Sequence, residues 1–281
     1  MNTLSTLEFT AVIAFGSLLA GFLGALTGLG GGVVIVPMLT LMFGVDIRYA
    51  IGAALVSVIA TSSGAAAAYV RDGYSNIRVG MFLEIATTIG ALSGAALALY
   101  LRASIVAIIF GVVLLYSAYA SFQQKDHVNK NEGVDRVATW LRMDSSFPTP
   151  NGLESYNVRR VPLGFSIMYV AGVLSGLLGI GSGAVKVLAM DRAMKLPFKV
   201  STTTSNFMIG VTAAASAGIY LSRGYIDPAL AMPVMLGVLA GSLLGARVLT
   251  GAKVKTLRIV FSAVIGALAV EMIYNGFAGK F

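Results

Sequence analysis

Long apolar runs constrain the fold of this chain more than any other feature. Of its 281 residues, 57% are hydrophobic and only 11% are charged, whereas soluble domains typically carry about 25% charged residues. A helix needs about 20 apolar residues to cross a bilayer. The runs are continuous, unlike the alternating pattern of membrane strands. The sequence therefore predicts an all-α, polytopic transmembrane helical bundle.

The apolar segments form two groups of five, separated by a polar connector. They cover residues 9–29, 32–43, 50–70, 79–99, 104–122, 162–180, 183–194, 201–222, 229–249 and 257–277. The second segment of each group is short for a full crossing and follows a glycine cluster, which is typical of a broken or re-entrant helix. We therefore expect eight to ten membrane segments. The predicted organisation is a first transmembrane repeat at 1–122, a connector at 123–160 and a second repeat at 161–281.

The two groups also resemble each other in sequence. Placing Gly21 on Gly172, an offset of 172 − 21 = 151 residues, aligns many positions without a gap. The match between Tyr69-x-x-x-Gly-Tyr74 and Tyr220-x-x-x-Gly-Tyr225 is specific, whereas glycine-rich helices match each other by chance quite often. An internal duplication is therefore predicted. Because each repeat would cross the membrane an odd number of times, the repeats would be inverted, an arrangement common in secondary transporters.

The distribution of basic residues predicts the orientation. With the N-terminus outside, fourteen of the 20 Lys and Arg residues fall in cytoplasmic loops and four in external loops. This bias follows the positive-inside rule. We expect a multi-pass protein of the plasma membrane with both termini outside and the connector in the cytoplasm. Residues 1–10 lack a basic residue, so the first segment is expected to be retained rather than cleaved as a leader.

Several chemistries lack the residues that they need. The chain has no Cys and a single His, His127, in the connector. This argues against thiol chemistry and against metal sites built on Cys or His, so no metal or other cofactor is expected. The net charge of +8 fits the predicted topology, and no basic cluster interleaved with aromatic residues indicates nucleic-acid binding. A membrane-embedded enzyme, which would need a paired carboxylate, a His cluster or an activated nucleophile within the spans, is a less favoured alternative.

Two glycine clusters interrupt the apolar segments. They read Gly28-Leu-Gly-Gly-Gly32 and Gly179-Ile-Gly-Ser-Gly183. Exposed backbone in lipid is costly, so a break persists only where protein or a hydrated cavity satisfies it. A helix restarting there would point free N–H groups and its positive dipole end at an anion. The alternative is that the glycines only allow close helix packing. The candidate substrate-binding residues here are Gly28, Gly30, Gly31, Gly32, Gly181, Ser182 and Gly183.

Lys186 lies three residues after the second cluster, within an apolar run. A lysine at bilayer depth costs about 2.5–3.5 kcal/mol on insertion scales, and the positive end of a helix adds to that cost. A bound anion would offset both effects, so Lys186 is predicted to bind the substrate. The alternatives are that its amine snorkels to the cytoplasmic face or pairs with a carboxylate such as Asp191.

Polar residues on neighbouring segments are candidates for neutral substrate contacts. Hydroxyls in membrane helices often bond to their own helix instead. The candidates are Ser57, Thr61, Ser205, Asn206 and Thr212.

Three further features have two interpretations each. Glu84, inside its segment, is either a proton-coupling carboxylate or a partner of Arg78. Arg247 is either a second anion contact or a snorkelling residue that sets topology. In the connector, Val137 and Leu141 beside Trp140 indicate either a short interfacial helix or a solvated linker.

The chain resembles the TauE/SafE sulfite-exporter family of anion permeases over nearly its whole length. The resemblance rests on Gly28-Leu-Gly-Gly-Gly-Val-Val-Ile-Val-Pro37, on Ala53-Ala-Leu-Val-Ser57 and on the second copy, Ser175-Gly-Leu-Leu-Gly-Ile-Gly-Ser-Gly183. It implies a secondary transporter of sulfite, an organosulfonate or a similar small anion, bound at mid-membrane, with H⁺ or Na⁺ as a coupling ion and lipid as its surroundings. An anion channel is the alternative.

The second copy departs from this pattern. Ser182 replaces a glycine, Lys186 replaces an apolar residue, and Leu188 stands where the proline would be. The departures suggest a specialised subgroup of the family.

Overall fold

A computed structural model describes residues 6–27, 31–71, 73–122, 135–149, 152–249 and 254–280. These residues are mostly helical, and the predicted all-α class is confirmed. Two short helices, at Gly32–Pro37 and Gly183–Leu188, each continue into a π-helical turn, over Met38–Met42 and Ala189–Ala193. The helices in chain order are α1 (Thr6–Thr27), α2 (Gly32–Pro37), α3 (Ile47–Arg71), α4 (Ile77–Tyr100), α5 (Ala103–Phe122), α6 (Arg136–Trp140), α7 (Val161–Leu178), α8 (Gly183–Leu188), α9 (Phe198–Ser222), α10 (Pro228–Leu249) and α11 (Val254–Phe277).

Helix α4 shows why these helices need a lipid environment. It exposes a stripe of large apolar side chains that includes Met81, Ile85 and Ile89. Its buried face carries small and polar residues, among them Gly90 and Glu84. A soluble protein would place these two faces the other way round. Within the described residues, α4 and α7 are long and apolar enough to cross a membrane by length and composition, and six shorter apolar stretches occur in other helices.

Glycines bring pairs of helices into close contact. A Cβ added to Gly94 on α4 would overlap the carbonyl of Val173 on α7, and one added to Gly176 would overlap that of Ala91. The same arrangement joins α10 to α1, where a Cβ on Gly241 would overlap the Leu18 carbonyl. Such small-residue contacts let membrane helices pack backbone to backbone. These glycines therefore serve packing.

The two groups of helices share one order of elements and exchange partners. Helix α1 packs along α10, and α4 packs along α7, so the first helix of each group lies against the fourth helix of the other. Helix α3 packs against α9, and α5 against α11. Residues from both groups contribute to the larger apolar core. The groups are therefore interleaved rather than packed as two separate cores.

The connector folds against the helices. Helix α6 is followed by an antiparallel hairpin of β1 (Ser145–Thr149) and β2 (Gly152–Tyr156), in which Phe147 faces Glu154. Ala138, Met143 and Phe147 are buried in a second core together with residues of α4. The predicted short helix is present, although Trp140 is exposed. The alternative of a solvated linker does not hold for residues 135–149 and 152–160, because they supply part of this core.

Asn76 ties the hairpin to two helices. Its side chain accepts a hydrogen bond from the Val79 N–H and so caps α4. The same side chain donates to the Met143 carbonyl and the Tyr156 hydroxyl, while its backbone N–H donates to Thr204 on α9. Burial raises the pKa of the Tyr156 hydroxyl, although its bond to Asn76 opposes that shift. The start of α4 is thus fixed against both the connector and α9.

Candidate functional site

A break between α7 and α8 forms the base of the site. Gly179, Gly181 and Ser182 adopt left-handed backbone conformations, with φ of +69°, +67° and +45°. Glycine adopts this conformation without strain, whereas Ser182 does so at a cost. The segment is buried, so protein surrounds the interrupted backbone. The predicted break in this half is confirmed.

The first break is described in part. Helix α1 ends at Thr27 and α2 begins at Gly32, with Gly31 in the preceding position. Gly28 and Gly30 lie outside the described residues. The start of α2 contacts the second break, because a Cβ added to Gly32 would lie 3.0 Å from the Gly179 carbonyl oxygen. The start of α2 and the second break therefore meet in the interior.

Lys186 lies on α8 beside this meeting point and is fully buried, with 0% of its surface exposed. Its amine Nζ donates to the hydroxyl of Thr212 on α9, with an Nζ–Oγ1 distance of 2.6 Å. Thr212 is also buried, with an exposure of 0%. The amine therefore does not snorkel to a surface.

Glu84 completes the arrangement from α4. The Thr212 hydroxyl lies 2.7 Å from Glu84 Oε1 and 2.9 Å from the carbonyl oxygen of Met208. A hydroxyl has one proton, so it donates to one of these acceptors while it accepts from Lys186. Thr88, one turn after Glu84, donates a longer bond of 3.3 Å to the same carboxylate oxygen. We call Glu84, Thr212 and Lys186 the buried polar chain.

These contacts resolve two alternatives. The carboxylate linked to Lys186 through Thr212 is that of Glu84 and not that of Asp191. Arg78 donates to the Arg142 carbonyl, so the sequence-based suggestion of Arg78 as the partner of Glu84 is not what the structure shows. An ionisable pair at this depth costs free energy, and such groups usually serve substrate or ion pathways.

The other predicted hydroxyls divide into two sets. Ser57 donates to the Ala54 carbonyl and Thr61 to the Ser57 carbonyl, both on their own helix. Ser205 instead donates across to the carbonyl of Gly183 at the break, over 3.3 Å. Asn206 is half-buried on α9. The structure therefore brings Ser205 and Thr212 to the second break, whereas Ser57 and Thr61 satisfy their own helix.

A small cavity adjoins the break. Its volume is about 10 Å³, close to the space that one water molecule requires. Ser182 is 3% exposed, and its buried hydroxyl has no hydrogen-bond partner among the described residues. The cavity is lined by Val33, Val113, Ser117, Ile180, Ser182, Gly183 and Val185.

Sequence reasoning missed two members of this region. Thr88 lies four residues after Glu84, a spacing that places both on one helix face, and this spacing was the available signal. Ser117 on α5 lines the cavity, and only the tertiary fold brings it there. Arg247 belongs to α10, and its side chain lies outside the part of the chain that the structure describes.

Helices broken in the protein interior, with ionisable groups at the break, are typical of membrane transporters. Comparisons with known proteins agree with this class. The sequence profile described as "Sulfite exporter TauE/SafE" matches residues 13–272. The chain therefore belongs to the TauE/SafE family, which is a family of membrane transporters.

Similar proteins carry names of the same class. The "Probable membrane transporter protein YunE" of Bacillus subtilis is 26% identical over 277 residues, which cover 96% of this chain and 99% of that protein. The "Probable membrane transporter protein MJ0441" of Methanocaldococcus jannaschii is 26% identical over 91% of this chain and 92% of its own length. No solved structure matches the chain.

Proposed function

We propose that this protein is a secondary transporter of a small sulfur-containing anion, such as sulfite or an organosulfonate. The substrate would bind between the broken helices, with Lys186 as its charged ligand. The buried Lys186 amine is the observation that carries the proposal, because a lysine at 0% exposure needs a negative partner. The family description supplies the sulfur chemistry.

The proposed binding groups surround Lys186. Its amine has three N–H donors, of which Thr212 takes one. The Ser182 hydroxyl and the Ser205 hydroxyl lie at the break itself. Hydroxyl and ammonium donors suit the oxygen atoms of a sulfite or sulfonate group. Neutral donors beside a single cation also favour a small anion over a large apolar ligand.

The membrane architecture is part of the same proposal. We place eight to ten segments in the plasma membrane as two inverted repeats, with both termini outside and the connector in the cytoplasm. The exchange of helix partners between the two groups supports a pseudo-two-fold relation. The basic residues of the connector and of the loop before α9 support its orientation.

A carrier fits the packing better than a channel does. The polar chain is enclosed, with Lys186 and Thr212 fully buried and Glu84 at 8% exposure. A substrate can reach such a site only if helices move, which is the behaviour of alternating access. A channel would hold its selective groups along a hydrated path.

Two measurements on the purified protein test the proposed function. The first is thermal stabilisation by sulfite, sulfate, thiosulfate, sulfoacetate, ethanesulfonate and acetate, because selective binding stabilises the folded state by mass action. We expect sulfite or a sulfonate to raise the melting temperature more than acetate does. The second is counterflow in proteoliposomes, in which a carrier transiently accumulates label and a passive pore does not.

Lys186→Met tests the assignment of the site. We expect this variant to fold and to lose both the thermal shift and counterflow. Ile35→Met is the matched control, because Ile35 is an equally buried residue at the corresponding place in the first half and volume-conserving core changes cost little. Wild-type affinity in Lys186→Met would contradict the assignment.

A further inference from the structure

We propose that Glu84 is the proton-coupling group of the transporter: it balances Lys186 in the empty site through Thr212, and it takes up one proton when the substrate anion displaces it. Anion and proton would then bind together and cross the membrane in the same direction. This inference rests on the proposed function, because it assumes that an anion binds Lys186.

The geometry makes the anion and the Glu84 carboxylate competitors. Thr212 Oγ1 lies 2.6 Å from the Lys186 amine and 2.7 Å from Glu84 Oε1, so one hydroxyl links the two charges. An oxyanion that binds the amine can accept the Thr212 proton as well. Glu84 would lose that hydrogen bond and the nearby positive charge in the same step.

Protonation is the simplest response of the displaced carboxylate. Its second oxygen, Oε2, is already buried without a hydrogen-bond partner among the described residues. After displacement, the contacts that remain in place come from threonines on its own helix, among them the 3.3 Å bond from Thr88. Two anionic groups side by side in a poorly hydrated interior repel each other, and such pairs ionise singly. A proton on Glu84 removes the repulsion and gives the carboxyl a donor that can face the bound anion.

Other charged groups on the surrounding elements are engaged elsewhere. On α4, Arg78 bonds to the Arg142 carbonyl. On α9, the Lys199 amine lies over the Tyr74 ring, 5.5 Å from its centroid. Helix α7 has no charged residue, and its Tyr169 is exposed.

The π-helical turn after α8 carries two further charges. Asp191 and Arg192 lie five and six residues beyond Lys186 in the chain. Neither lies among the groups that interact with the Glu84 carboxylate, which are Lys186 by charge and Thr212, Thr87 and Thr88 by hydrogen bonds. Lys186 is therefore the cation that a substrate anion and Glu84 would share.

Proton uptake by the wild-type protein tests this inference directly. Isothermal titration calorimetry with ethanesulfonate, in two buffers of different ionisation enthalpy, gives the number of protons bound per anion. A sulfonate is suitable because it stays ionised across the working pH range, and sulfite is suitable only where it is fully ionised. We expect about one proton per anion and an affinity that falls by up to tenfold for each unit rise in pH. Zero proton uptake would overturn the inference.

Glu84→Gln extends the test to transport. The amide cannot take up a proton, so we expect zero proton uptake, an affinity independent of pH, and tighter binding because the competing charge is gone. Accumulation of the anion driven by an inward proton gradient should be lost. Glu271→Gln is the matched control, since Glu271 is an exposed carboxylate on α11, and it should behave like wild type.

The outcomes separate the inference from the proposed function. If the wild-type protein binds no sulfite or sulfonate, the proposed function fails. If it binds the anion through Lys186 without proton uptake, or if accumulation follows a sodium gradient, the proton coupling fails and the proposed function stands. If Glu84→Gln does not fold, calorimetry on the wild-type protein still decides whether the anion binds together with a proton.

Discussion

The two helix breaks share a scaffold but differ in chemistry. Lys186 on α8 and Ile35 on α2 correspond at the offset of 151 residues, and both are fully buried. Ile35 belongs to the apolar core, whereas Lys186 bonds to Thr212. One break therefore holds a charge at a position where the other holds a hydrocarbon side chain.

The surrounding positions repeat this difference. Thr61 corresponds to Thr212, yet its hydroxyl bonds to the Ser57 carbonyl of its own helix. Met235 on α10 corresponds to Glu84 on α4. The first break thus lacks both charges of the polar chain at the corresponding positions, and within the described residues the Thr61 hydroxyl bonds to carbonyls of its own helix. The predicted duplication would account for the shared order of elements, and the two charged residues of the polar chain occur in one group of helices each, at positions that are apolar in the other group.

Placing a buried lysine in the first half, at the position that corresponds to Lys186, should change the stability of the protein most. In Ile35→Lys, an ammonium would lie unpaired in the apolar core, and we expect a loss of more than about 4 kcal/mol in the free energy of unfolding. Adding Met235→Glu should recover part of it by supplying the counter-charge. Chemical denaturation in detergent measures both variants. No recovery in the double variant would contradict the correspondence between the two sites.

Removing one charge of the buried polar chain should cause the next largest loss in the free energy of unfolding. Glu84→Gln leaves the Lys186 amine buried without its carboxylate, and removal of one partner of a buried pair costs about 3–5 kcal/mol. The double variant Glu84→Gln with Lys186→Met should be close to wild type in stability. A double-mutant cycle measures the coupling. Sulfite or ethanesulfonate in the buffer should restore the stability of Glu84→Gln, because the anion replaces the missing charge.

The two threonines should differ by a smaller amount. Thr212→Val removes the bridge between two charges, and we expect a cost of about 1–3 kcal/mol because polar groups are left without a partner. Thr61→Val removes a bond to its own helix and should cost less than about 1 kcal/mol. Thermal unfolding of the two variants under the same conditions checks the difference. Equal effects would argue against a special role for Thr212.

A substitution at Asp135 in the connector should have a small effect on stability. Asp135 accepts hydrogen bonds from the Val137 and Ala138 N–H groups of α6 and from the Val161 N–H at the start of α7. Asp135→Ala should cost about 1 kcal/mol, as for other helix caps. Asp227→Ala is the control, because the Asp227 side chain accepts one such bond, from the Ala229 N–H of α10.

The contribution of Asp135 should depend on pH. Burial is the largest single influence on the pKa of this carboxyl and raises it, but the hydrogen bonds from the backbone N–H groups together lower it by more, so the net pKa is below the ordinary value of 3.8. A lowered pKa in the folded state stabilises the protein above that ordinary value, and the stabilisation is lost as the pH falls below it. The stability difference between wild type and Asp135→Ala should therefore shrink in acid. A stability difference between the two proteins that stays constant with pH would contradict the lowered pKa of Asp135 in the folded state.

The sequence predicted the helices well because lipid imposes a simple rule on them. The predicted segment 79–99 is α4 (Ile77–Tyr100), and the predicted segment 183–194 is α8 with its π-helical turn. The second glycine break was predictable because exposed backbone cannot persist in lipid. The hairpin at 145–156 was not predicted, since its strands are stabilised by the core under the connector rather than by a strong local pattern.

The members of the polar chain were predicted singly, and their connection was not. Lys186, Thr212 and Glu84 were each candidates because polar residues are costly in apolar segments. The bond from Thr212 to Glu84 joins positions that are 128 residues apart. No local spacing encodes such a contact, so Arg78 and Asp191, which lie nearer in sequence, were the partners that sequence reasoning could offer.

The most direct test is a structure of the protein with ethanesulfonate or sulfite bound, determined by electron cryomicroscopy. The proposed binding site predicts density for the anion within hydrogen-bond distance of the Lys186 amine, with Thr212 no longer bonded to Glu84. An anion bound elsewhere, for example beside Arg78 and Arg142, with the Lys186–Thr212–Glu84 chain intact, would contradict it.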